Sequence, residues 1–185
     1  ASELEPGYLA HPASDAHPGV VILHDVWGLS EHYRDLARRL AADGFSVLAM
    51  NLYRSHPDAK ITDPGRWIRG LSDPQTIGDM QSAVDYLAAH ASVGRRRVGI
   101  VGFCMGGTYA IHAAAGCRGL SAAVAFYGML SHEHGLLAPQ PGETLDPLRK
   151  PRSPLEAARE ARCPLLGCFG ADDPYIPTED VARLD

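Results

Sequence analysis

The residues that could do chemistry gather first around Cys104, in the stretch Val98-Gly-Ile-Val-Gly-Phe-Cys104-Met-Gly-Gly-Thr-Tyr-Ala-Ile-His-Ala-Ala-Ala. A β-branched run gives way there to a helical, alanine-rich one, with the cysteine at the joint. Gly102 stands two residues before it, and Gly106 and Gly107 two and three after. That is the spacing of a nucleophile elbow, a strained strand-to-helix turn whose flanking positions have no room for side chains. The helix expected from Met105 points its free N–H groups and positive dipole end at the sulfur, which favours thiolate over thiol. An acidic, selectively reactive Cys104 is therefore expected. Two other readings compete. Glycine-rich strand-to-helix turns also bind dinucleotides, but cysteine stands here where the middle glycine must let the pyrophosphate approach. A buried structural cysteine explains the residue type but not the two glycines after it.

A second candidate group is Gly170-Ala-Asp172-Asp173-Pro174-Tyr-Ile-Pro177, just beyond the last apolar run. An acid on a strand downstream of the nucleophile matches the chain order nucleophile, acid, histidine of known triads. Taken alone, Asp173-Pro174 is equally an Asx turn; paired with the elbow it favours function. All nine histidines lie between positions 11 and 134, whereas a triad of this order places its histidine after the acid. The expectation is a tail that was removed, went unrecorded or is supplied by another chain; otherwise His24, nearest the site, has to be the base. His132 and His134 form an H-x-H on a Gly/Pro-rich loop and are expected to be solvated, with no metal site. Cys117, Cys163 and Cys168 are expected to be structural thiols, since no C-x-x-C pair is present.

These residues need elements to position them. Residues 7–10 suit a short edge strand, with a turn-rich link over 12–18. The apolar runs 19–24, 45–50, 98–103, 120–126 and 164–169 read as five parallel strands buried on both faces. Between them, Ser30 caps a helix with Tyr33, Leu36, Ala37, Leu40 and Ala41 on one face, closed by Gly44. Asp73-Pro74 reads as N-cap and N1 of a helix with Ile77, Met80, Val84, Leu87 and Ala88 inward, and Gly94 ends the connection. Residues 51–76 and 128–154 are expected to be long excursions near a site. A short helix is expected over 154–161, and another with Thr178 as N-cap. The whole predicts one α/β domain over 1–185, with a mostly parallel sheet and helices on both faces.

Composition narrows the partners. The formal net charge of -5 and the lack of a basic run argue against nucleic acid. No apolar run reaches the ~20 residues that span a membrane. The N-terminus, Ala-Ser-Glu-Leu-Glu-Pro, is not a signal peptide and lacks a starting methionine, so the expectation is a processed or trimmed cytoplasmic chain. Composition does not separate monomer from homodimer.

Taken together, Gly-Phe-Cys-Met-Gly-Gly, His-Asp-Val-Trp-Gly-Leu, Asn-Leu-Tyr-Arg, Phe-Tyr-Gly and Gly-Ala-Asp-Asp-Pro-Tyr-Ile-Pro resemble the dienelactone hydrolase (carboxymethylenebutenolidase) family over roughly residues 7–180. The resemblance implies an α/β-hydrolase fold, here lacking its C-terminal strand and helix, that cleaves a small ester or lactone without metal or other cofactor. It implies Cys104 as nucleophile through a thioester, Asp173 as triad acid, and Asp25 as the acidic residue that contacts the thiol and helps to deprotonate it. The backbone N–H groups of Val26 and Met105 are its implied oxyanion hole. Trp27 and Tyr127, at strand ends, are candidate substrate-binding walls. Arg69 lies near one of the arginines with which the family holds its substrate carboxylate, but does not align with it. Two other classes remain open. A cysteine glutaminase also uses a G-x-C-x-G elbow, though the second glycine and the Gly-x-x-Asp motif favour the hydrolase. A non-catalytic binding or regulatory module gains from the missing histidine.

Overall fold

Strands with no polar face are stable only when helices cover both sides of their sheet. A computed structural model of the chain describes residues 7–13, 17–56, 60–93 and 97–185, so the expected stop at Gly94 and the N-terminal hexapeptide lie outside the described residues. The strands are β1 (Gly7–Ala10), β2 (Gly19–Leu23), β3 (Ser46–Met50), β4 (Val98–Phe103), β5 (Leu120–Phe126) and β6 (Leu165–Cys168). They form one sheet in the order β1-β3-β2-β4-β5-β6. β1 runs antiparallel to β3 at the edge, and the remaining five strands are parallel, as their apolar runs predict.

The helices divide between the two faces by the two-residue period of the strands. Ile22, Val47 and Ala49 meet Tyr33 and Ala37 of α1 (Glu31–Ala42) on one side. Val21, Leu23, Leu48 and Ile100 point the other way, into a core shared with α3 (Asp73–Ala89) and the elbow helix α4 (Met105–Gly116). Each such aliphatic side chain taken out of water contributes about 1.5–3 kcal/mol. Because β2 and β4 are neighbours, the loop after Leu23 and the turn after Phe103 open at the same end of the sheet.

Several boundaries differ from the sequence reading, each for a local reason. The excursion over 51–76 contains a helix, α2 (Pro64–Gly70), capped by Asp63, whose carboxylate accepts the Arg66 N–H at 3.0 Å. The cap of α3 is Ser72, whose hydroxyl accepts from Gln75 N–H, so Asp73 is already helical and its side chain is free to turn inward. Ala88 faces solvent, and Ala83 takes its place on the inner face. The 128–154 loop holds a 3-10 turn at Gly135–Leu137. The next helix, α5 (Pro154–Ala158), stops earlier than expected and begins with a capping box between Ser153 and Glu156. The N-cap of α6 (Thr178–Leu184) is Pro177 rather than Thr178. All four cysteines are free thiols, and the buried Cys117 is pushed up to about 11 by that burial.

Candidate active site

Cys104 occupies the turn between β4 and α4 with a positive φ of 55°. A non-glycine residue there stores about 1–3 kcal/mol of strain and persists only if its neighbours hold it. They do. The Cys104 N–H donates to the Phe126 carbonyl and its own carbonyl accepts from Thr108 N–H, both at 3.0 Å. A Cβ on Gly102 would run into the Gly106 carbonyl, and one on Gly106 into the carbonyls of Leu23 and His24. The glycine spacing read from the sequence thus has its steric cause.

The loop after β2 meets this turn. Tyr53 donates its hydroxyl to the Val26 carbonyl at 2.6 Å and lies 3.3 Å from Met105 Sδ, tying the loop to the first residue of α4. The backbone N–H groups of Met105 and Val26 are close enough to the Cys104 thiol to lower its pKa. Sequence reasoning quoted Tyr53 in a motif but gave it no task; its position after a strand end was the available signal.

The thiol itself departs from expectation. Burial pushes the Cys104 pKa up, the Met105 and Val26 N–H groups pull it back, and the Asp25 and Asp173 carboxylates push it up again. The net direction is upward, opposite to the lowering expected from the helix N-terminus alone. One helix N-terminus is outweighed by desolvation plus two anions.

Asp25 is not aimed at the sulfur by hydrogen bonding. Its Oδ1 accepts the Trp27 N–H at 2.8 Å and its Oδ2 accepts the Tyr33 hydroxyl at 2.9 Å, so it shapes its own loop and acts on the thiol through space. Asp173 does two things at once: Oδ1 accepts the Tyr175 N–H at 2.9 Å, the Asx turn, while its charge is felt at Cys104. His24 is excluded as a base. It is fully buried, Nδ1 bonds the Asp25 carbonyl at 2.6 Å, and Nε2 accepts the Leu52 N–H at 3.0 Å, so both nitrogens are occupied in the neutral ring.

A cavity of about 610 Å³ opens over Cys104, walled by Val26, Trp27, Arg69, Leu136 and Tyr175 among others; no histidine lines it among the described residues. Trp27 is 66% exposed and lines the cavity. Tyr127, held at φ 41°, does not line it but stands near enough for the sulfur to raise its phenol, after the larger effect of burial. Arg69 is buried against the cavity wall and pairs with Glu143, a partner the sequence gave no reason to expect. A second hollow, about 630 Å³, runs along β6 past Leu165, Phe169 and Val181 and holds none of the candidate residues except the flanking Gly170-Ala171 backbone.

Of the two loop histidines, His134 is 45% exposed, as expected, and His132 is partly buried. His134 Nδ1 and the Ser131 hydroxyl both bond Asp180 Oδ2, at 2.9 and 2.8 Å, and hold that carboxyl below its usual range despite its burial. Among the described residues no cluster has the ligands for a metal ion.

Beneath the elbow, His112 is buried with Nε2 3.7 Å from Asp73 Oδ2, and burial lowers it from 6.5 to about 4 although Asp73 pulls it up. A histidine depressed in the fold contributes stability that is complete above 6.5 and is lost as pH falls toward about 4. Urea unfolding should therefore show the wild type losing roughly 2–3 kcal/mol more than His112→Gln between pH 7 and pH 4.5. Parallel pH profiles for the two proteins would show that this ring titrates normally.

The family model described as the dienelactone hydrolase family matches residues 6–185. The chain belongs to that family. A provisionally assigned carboxymethylenebutenolidase of Salmonella typhimurium is 34% identical over 97% of this chain and 64% of its own length. A Bradyrhizobium relative, provisionally assigned as a 2-oxo-3-(5-oxofuran-2-ylidene)propanoate lactonase, is 31% identical over 96% of this chain and 68% of its own. A crystal structure from Klebsiella pneumoniae, provisionally assigned as a dienelactone hydrolase, superposes with a TM-score of 0.80 at 31% identity, covering 95% of this chain and 71% of that one. This dienelactone hydrolase family chain has the α/β-hydrolase fold of its relatives and spans about two thirds of the length of the curated ones. No helix among its described residues is long and apolar enough to cross a membrane.

Proposed function

We propose that this chain carries the acylating site of an ester or lactone hydrolase, with Cys104 as nucleophile. The observation that carries the reading is the strained elbow residue Cys104 opening onto a cavity that Val26 also lines, with the Val26 and Met105 N–H groups acting on its thiol. Two such donors beside a nucleophile can receive the carbonyl oxygen of a substrate as it becomes an oxyanion, and losing one typically costs ~100-fold or more. In the proposed step the thiol sulfur adds to an ester or lactone carbonyl, the carbon–oxygen bond breaks, and the thiol proton leaves on the alcohol; a lactone keeps that alcohol in the acyl chain. Because burial and the two carboxylates favour the thiol over the thiolate, the proton has to leave the sulfur as the carbon–sulfur bond forms. Hydrolysis of the thioester needs a general base, which Asp173 would orient. No histidine lines the cavity among the described residues, so the reading assigns acylation, and not deacylation, to these residues. Trp27 and Arg69 wall the acyl site, and Tyr127 lies close enough to the sulfur to feel its charge. The lactonase assignment of the Bradyrhizobium relative supports lactones within the substrate class.

The test is acid-quenched intact mass spectrometry after exposure to short aryl esters and an unsaturated lactone. One acyl group per chain, mapped to Cys104, is expected. Acylation confined to Cys117, Cys163 or Cys168 would sink the reading, and no acylation at all would favour the binding module. Release of ammonia from glutamine would move the chain to the glutaminase class.

A further inference from the structure

Arg69 presents a problem that the chain has solved with its own side chains. A guanidinium in the last turn of α2, only 8% exposed, is costly unless it is paired and hydrogen bonded. Its Nη1 donates to the Leu136 carbonyl at 3.0 Å and its Nη2 meets Glu143 Oε2 at 2.8 Å. Gly65, one turn earlier, leaves the space: a Cβ there would stand 2.8 Å from Nη1. Both partners come from the long 128–154 loop. Glu143 is itself held in place, since Oε2 accepts the Gln140 N–H at 3.1 Å and its own N–H donates to the Gln140 carbonyl at 2.8 Å. Glu143 is itself 39% exposed, so its own turn, and not burial, holds this counter-ion at the buried guanidinium.

We propose that Glu143 neutralises Arg69 and makes the Cys104 cavity select uncharged acyl groups over acyl groups that carry a carboxylate. The inference rests on the reading above that this cavity receives an ester. Arg69 is the one cation among the described residues that line the cavity; Asp63 lines it too, and Asp25 and Asp173 both act on its sulfur. With Arg69 paired, the described lining residues offer an entering anion no unpaired cation and one further carboxylate, Asp63. A carboxylate has to displace Glu143 from a position already fixed by its own loop, whereas a neutral chain of the same length meets Trp27, Leu136 and Tyr175 without that penalty. Specificity then comes from the repulsive element as much as from the apolar walls.

Glu143→Gln keeps the shape of the side chain and removes its charge, leaving Arg69 able to take an external carboxylate. The experiment compares monomethyl glutarate with dimethyl glutarate, one skeleton with and without the charge, by calorimetry on the wild type, Glu143→Gln, Glu143→Ala and the double variant Arg69→Gln/Glu143→Gln. The wild type is expected to bind the diester more tightly. Both single variants are expected to gain roughly ten-fold or more for the monoester anion and little for the diester, and the double variant to lose that gain. A wild type that prefers the anion, or variants that change both ligands equally, overturns the proposal. Acylation by the p-nitrophenyl esters of butyrate and of glutarate is read in parallel. A charge-dependent shift in binding without acylation of any variant keeps the selectivity and sinks the catalytic reading; acylation with no discrimination between the two esters does the reverse.

Discussion

Replacing Cys104 by alanine is expected to abolish acylation of this chain by an aryl ester, a loss of at least ~10³-fold in the single-turnover release of p-nitrophenolate. Alanine fits the site: it is smaller than cysteine and leaves intact the backbone bonds to Phe126 and Thr108 that hold the turn. Lost reactivity with an unchanged melting temperature is thus the expected pair of results. Because burial and the two carboxylates raise the thiol, acylation by the wild type should also keep climbing with pH through the neutral range, where a thiol with an elbow-lowered pKa would already have levelled off. Residual p-nitrophenolate release in Cys104→Ala at a rate near that of the wild type would assign the chemistry to another residue.

Replacing Lys150 by methionine is expected to destabilise the fold by about 3–5 kcal/mol, the usual consequence of leaving one member of a buried ion pair alone. Asp73 and Lys150 are 3% and 2% exposed, with Nζ and Oδ1 2.5 Å apart. The Tyr109 hydroxyl of the elbow helix donates to the same oxygen at 3.0 Å and lies 3.3 Å from Nζ. Burial lowers the lysine and the Asp73 carboxylate pulls it back up, so the carboxylate supports the ammonium. The Asp73 backbone N–H adds a bond to the Arg149 carbonyl at 2.8 Å, which ties the end of the 128–154 loop to the start of α3. For a domain of this size ~2–4 °C per kcal/mol makes the melting temperature fall by roughly 10 °C. The double variant Asp73→Asn/Lys150→Met should recover a large part of it, since no isolated charge is left behind. A loss below about 1 kcal/mol, typical of solvated pairs, would mean that water reaches this pair.

What the sequence by itself determined is what is encoded within a few consecutive residues. The five parallel strands follow from uninterrupted apolar runs, and the elbow follows from glycines at fixed offsets from Cys104, because the clash that requires them lies within one turn of chain. The Asp173 turn was equally legible, a carboxylate bonding the N–H two residues on. Other features depend on where distant segments land. His24 reads as the nearest available base, yet the fold uses both ring nitrogens, one of them on Leu52 from the next strand's end. Asp73 reads as a cap, but with Ser72 capping α3 it turns inward to a lysine 77 positions away that reads as loop. Arg69 and Glu143 meet only because α2 and the long loop share one wall of the cavity. The thiol was misjudged for the same reason: a helix N-terminus is visible in the sequence, whereas desolvation and the Asp25 and Asp173 charges arise only when three strand ends converge. Local sterics repeat wherever their pattern occurs, while burial and long-range charge pairing are properties of the packed chain, and those were decided by the tertiary structure.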